Sequence, residues 1–79
     1  SPWFNMKEQI LQLEREVREA PVGNAQELEA YRIKYLSRKG LIPELFEELK
    51  KVPADQKREV GQALNQLKNL AEGRLEELT

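Results

Sequence analysis

Apolar residues at Trp3, Met6, Ile10, Leu13, Val17 and Ala20 follow one another at steps of 3, 4, 3, 4 and 3. This is the a/d seam of a helix meant to lie along another helix, because positions three and four apart share one side of a 3.6-residue turn. A strand would alternate at every second residue, and no such alternation competes anywhere in the chain. The expected fold class is therefore all-α.

The later segments keep the same period. "APVGN" breaks the first helix with Pro21 and Gly23. Asn24 then stands where it can cap free backbone N–H groups while Glu27 reaches back, a capping-box pattern. Leu28, Tyr31, Tyr35 and Leu36 fall within an arc of about 140°, and Gly40 is expected to end that helix. "LIPELFEELKKV" reads as a short third helix, with Pro43 in its first turn and Leu45, Phe46 and Leu49 facing inward. Pro53 closes it and opens the next. Val60, Ala63, Leu64, Leu67, Leu70, Ala71, Leu75 and Leu78 share one face of the long final segment.

Helices are thus expected over residues 6–20, 24–39, 43–51 and 54–78 of a single domain spanning 1–79. They form an antiparallel helical hairpin or a small bundle of three to four helices with coiled-coil-like packing. Whether the second and third helices make one bent rod stays open at this point. Residues 1–5 precede the first Met and read as an added leader, although Trp3 continues the seam.

Composition narrows the chemistry. The chain has no cysteine and no histidine, which removes disulfides, thiol nucleophiles, zinc knuckles and the commonest general base. That usage fits a reducing, cytoplasmic setting. No apolar run approaches the roughly 20 residues of a bilayer span, so no membrane role is expected. Glu44, Glu47 and Glu48 precede Lys50 and Lys51, the acid-first, base-last polarity a helix dipole favours, with no partner base to make them catalytic. Catalytic and metal-ligating residues are therefore expected to be absent. The net charge is −1, so the chain does not coat polyanions indiscriminately.

The charge is nevertheless uneven. "YRIKYLSRKG" holds Arg32, Lys34, Arg38 and Lys39 without one acid. Cations in a last helical turn face the negative end of its dipole, which is reason enough for some of them. Arg32 is less easily explained, because it lies about 40° from both Leu28 and Leu36, inside the apolar arc, and Lys39 follows on the same line. Either their stems cover apolar surface while the charged heads stay in water, or that strip is open and faces a polyanion. Gly61 poses a related question. An interior helix glycine costs about 1 kcal/mol relative to Ala, and it usually lets another backbone, protein or nucleic acid, come close. Gly61, Asn65 and Lys68 follow at i, i+4 and i+7, with Arg58 near the same strip; Asn and Lys there suit sugar and phosphate oxygens.

Taken together, "RIKYLSRKGLIPELFEELKKVPADQKREVGQALNQLK" resembles the N-terminal domain of the α subunit of bacterial phenylalanyl-tRNA synthetase. The matching positions are Arg32, Tyr35, Leu36, Arg38, Lys39, Gly40, Leu45, Leu49, Pro53, Gly61, Leu64, Asn65 and Lys68; Ser37 departs from the family's usual Gly. The resemblance implies a helical, coiled-coil-like arm that contacts the outer corner of tRNA(Phe), where the D and T loops meet. It further implies an α2β2 parent enzyme, with a β subunit and a second α subunit as partners, that joins phenylalanine to tRNA using ATP and magnesium. The class II catalytic domain of such a parent lies further along the α subunit, and none of its motifs is present here. The tRNA-facing residues are then Arg32, Lys34, Arg38, Lys39, Arg58, Asn65 and Lys68, with Gly40 and Gly61 at a turn and a close approach. The alternative is a helical protein–protein or dimerisation module, favoured by the seam from Trp3 to Val17; monomer or self-associating chain stays open.

Overall fold

The seam at the start of the chain meets the long apolar face at its end. The computed structural model describes residues 2–79, with side chains from Asn5 onward, as α1 (Pro2–Glu19), α2 (Ala25–Tyr35), α3 (Leu41–Leu49) and α4 (Ala54–Glu77). On α1 the seam residues Met6, Ile10, Leu13 and Val17 are buried, and on α4 Val60, Leu64, Leu67 and Ala71 are completely so. The seam position Trp3 lies outside the described side chains. The first helix starts four residues ahead of the expected 6–20 and stops at Glu19.

Contacts at the two ends give the helix directions. Lys7 Nζ meets Glu59 Oε1 at 2.5 Å, and Arg74 donates to the Val17 carbonyl. Residue numbers rise together on α1 and α4, so these two helices run the same way. The middle of the chain runs against both. Tyr31 Oη donates to the Ala71 carbonyl at 2.8 Å, while Leu49, further along, lies beside Gly61, earlier on α4. The molecule is an up–down–up bundle of three rods, and α2 with α3 is one rod broken at residues 36–40. Its extents of 42 × 20 × 17 Å suit a 24-residue helix laid along the long axis at about 1.5 Å per residue.

Local chemistry accounts for the boundaries. The Asn24 side chain accepts from the Glu27 N–H at 2.8 Å, and the Glu27 carboxylate reaches past it to the Gly23 N–H at 2.9 Å. The buried Tyr31 and Tyr35 rings meet at a 60° tilt with centroids 5.3 Å apart and keep their hydroxyls bonded, Tyr35 to Glu16 Oε1 at 3.1 Å. Burial pushes both phenols above their ordinary range. In α3, Ile42 and Leu45 are buried, with Phe46 and Leu49 packed against that core at its edge. Leu78 departs from its expected inward place and is 44% exposed, because α1 ends near the level of Arg74 and the last turn of α4 projects beyond it.

Candidate nucleic-acid interface

The break in the middle rod builds the site. Leu36 and Ser37 N–H both donate to the Arg32 carbonyl at 2.9 Å, and Ser37 Oγ donates to the Ile33 carbonyl at 2.6 Å. The serine hydroxyl thus takes up the acceptor that its own N–H would need to continue the helix. α2 ends at Tyr35, not at residue 39, and Ser37, Arg38 and Lys39 form a turn closed by the Gly40 N–H on the Ser37 carbonyl at 2.8 Å.

Gly40 does not stop α2. It is the N-cap of α3, with ordinary backbone angles of φ −72° and ψ 171°. Its glycine is needed for room: a Cβ would stand 2.8 Å from the Tyr35 carbonyl carbon and 3.0 Å from both Leu36 N and Ser37 O. No side chain caps α3, so the positive end of its dipole is open beside Arg38 and Lys39. Both cations are exposed and make no ion pair or hydrogen bond among the described residues. The hollow beneath them is rimmed by Pro43, Glu44 and Glu47, and Glu47 is held by Lys50 at 2.5 Å.

The other two cations of the cluster are engaged. Arg32 binds Glu29 with both arms of its fork, Nε to Oε2 at 3.1 Å and Nη2 to Oε1 at 2.6 Å. That hydrogen bonding lowers the Glu29 carboxyl below its usual range and raises the Arg32 guanidinium. Arg32 is exposed rather than buried in the apolar arc, because α2 ends before the arc closes over it. Lys34 sits on the α1 side, 3.7 Å from Glu16 and 5.2 Å above the Tyr35 ring.

On α4, Lys68 lies 6.0 Å from the Phe46 ring centroid, over a shallow hollow formed with Leu36, Ile42, Pro43 and Glu72. Pro43 borders this hollow and the one at Arg38, so the turn and Lys68 share one continuous surface. Asn65 spends its amide on the Gly61 carbonyl at 3.0 Å. Arg58 is exposed near the start of α4 and has no ion pair or hydrogen bond among the described residues. At Gly61 an added Cβ would meet Leu49 Cδ2 at 3.7 Å, an ordinary contact, so packing against α3 does not demand glycine there. The structure therefore keeps Arg38 and Lys39 together at the turn, with Lys68 over the neighbouring hollow across Pro43, and sets Lys34 apart. The i,i+3 spacing of Glu29 and Arg32 is visible in the sequence and signals their pairing; Glu16 meets Lys34 only through the fold.

Residues 23–79, which include every one of these cations, match the family model described as aminoacyl tRNA synthetase class II, N-terminal domain. The chain belongs to that family. Among similar proteins of this synthetase family, the phenylalanine–tRNA ligase α subunit of Phocaeicola vulgatus is 52% identical over 73 residues, 92% of this chain and 21% of that protein. The α subunit of Porphyromonas gingivalis is 45% identical over 73 residues, 92% of this chain and 22% of its own length. That of Chlorobium chlorochromatii is 47% identical over 70 residues, covering 89% and 20%. The chain spans about a fifth of the length of these curated relatives. No solved structure matches it. As a synthetase N-terminal domain it holds, among the described residues, no cluster of metal-ligating side chains, and no helix is long and apolar enough to cross a membrane.

Proposed function

We propose that the chain is the tRNA-binding arm of a phenylalanine–tRNA ligase α subunit, touching the outer corner of tRNA(Phe) and helping to position it for aminoacylation by a class II catalytic domain elsewhere in the parent. In this reading the parent works in the cytoplasm as an α2β2 assembly with ATP and magnesium, and the chain itself is non-catalytic. One observation carries the contact: Arg38 and Lys39 are exposed and, among the described residues, unpaired beside the start of α3, which no described side chain caps, within the family-matched region. Phosphate is the natural partner of such a group, since cations and free backbone N–H groups bind it without reading sequence. Lys68 extends the same surface, while the shape of the break, rather than base contacts, supplies the fit.

The dimerisation reading rests on the α1 seam, whose described residues Met6, Ile10, Leu13 and Val17 are already buried within the chain's own core. The RNA reading is tested by measuring binding to a tRNA(Phe) transcript against salt. Arg38→Glu with Lys39→Glu should weaken binding and flatten log K against log salt by about 1.4–1.8, two phosphate contacts at 0.7–0.9 each, with helicity by circular dichroism unchanged. Undiminished binding by the double variant would remove this surface from the reading.

A further inference from the structure

The four cations of residues 31–40 differ in what they can offer a phosphate. Arg38 and Lys39 have no partner among the described residues, and Lys34 is turned toward α1 and Glu16. Arg32 is a third case. It stands one helical turn before Leu36, which lines the hollow with Phe46 and Lys68, so Arg32 continues the candidate surface along α2. Yet its guanidinium presents Nε and Nη2 to the two Glu29 oxygens. That is the same fork with which arginine grips a phosphodiester, and an edge filled by a carboxylate is closed to phosphate.

We propose that Glu29 competes with RNA phosphate for Arg32, so that it sets the affinity and salt dependence of the arm by withholding one cation from a surface where Arg38, Lys39 and Lys68 are presented. The inference rests on the RNA-arm reading and concerns how strongly the same surface engages. A surface made of phosphate contacts grips any RNA backbone, and each extra cation adds the same amount to correct and incorrect partners. Holding one back keeps the arm's grip low enough for shape to discriminate. Glu29 is here a positioning residue that acts through Arg32, and it has no RNA contact of its own.

The test compares the chain with Glu29→Gln, Arg32→Gln and the double variant, titrating a tRNA(Phe) transcript and an unrelated tRNA transcript across a salt series. Glu29→Gln should tighten binding to both RNAs by about two- to fivefold at low salt and steepen the salt slope by about 0.7–0.9, one additional phosphate. Arg32→Gln alone leaves the Glu29 carboxylate unpaired and should cost less affinity than Arg38→Gln, and added to Glu29→Gln it should abolish the gain, a non-additivity that a helix-stabilising pair would not produce. An unchanged slope in Glu29→Gln, with the parent chain binding normally, would overturn this inference alone. So would an Arg32→Gln loss as large as that of Arg38→Gln, because Arg32 would then already be engaged. No binding by the parent and none by Glu29→Gln would overturn the RNA-arm reading together with it.

Discussion

At Gly40 the missing side chain leaves space that the end of α2 occupies, and the backbone angles are ones any residue adopts. Gly40→Ala must push the Tyr35 and Leu36 backbone aside, and it is expected to destabilise the fold by about 1–3 kcal/mol in urea titration, the range for overpacking. Gly61→Ala goes the other way. Its Cβ meets Leu49 only at 3.7 Å, so the substitution should stabilise α4 by up to about 1 kcal/mol; a simultaneous drop in tRNA binding would show RNA backbone approaching there. In the sequence Gly40 read as a helix stop and Gly61 as an interior glycine that lets another backbone come close, and the space around each reverses which of them needs the room. Only the position of the Tyr35 carbonyl separates them, and that is set by a turn the hydrophobic pattern does not encode. The Asn24 cap was legible because its geometry is local. The tyrosine pair carries a pH signature at this scale. With both phenols raised by burial, their contribution to stability is intact below the unfolded value near 10.0 and lost as pH rises toward the folded ones. Absorbance titration should therefore show both tyrosines ionising late, and together with alkaline unfolding.

For the elements, the apolar period marked most of the inward faces, with Leu78 an exception, and was a poor guide to where α2 ends. Ser37, Arg38, Lys39 and Gly40 interrupt the apolar residues between Leu36 and Leu41, but that gap alone does not say where the helix stops; Ser37 diverts the Ile33 carbonyl, and α2 ends at Tyr35. A hydroxyl competing for a backbone acceptor leaves no mark on periodicity. The same gap explains the cations. Arg38 and Lys39 were read as the last turn of a helix, and they are instead the turn itself, ahead of the next helix's positive end. Arg32 was read inside the apolar arc, and the shortened helix leaves it in the open, close enough for Glu29 to take.

Across the whole molecule, the sequence showed that α1 lies along another helix, but neither that the partner is α4 nor that the two run parallel, because a seam of period 3.5 names no partner and has no sense of up or down. The parallel arrangement follows from the chain passing down the middle rod before α4 returns. One consequence is that α4 has no complete partner without α1. Deleting residues 2–19 would uncover Val60, Leu64, Leu67 and Ala71, which together with their α1 partners form much of the core. The shortened chain is expected to lose cooperative thermal unfolding by circular dichroism, even though every candidate interface residue is retained. Retention of a sharp transition would mean that α2 to α4 suffice.

At Gly40 there is room for a hydrogen but not for a Cβ, which would stand 2.8 Å from the Tyr35 carbonyl carbon. A joint with so little space between its two helices is expected to act as a bracket rather than a hinge. Whatever docks against Arg38 and Lys39 meets a preset angle, and little disorder is frozen out when it arrives. Partners that fit the bracket are accepted as they are, and those that do not cannot be accommodated by bending it.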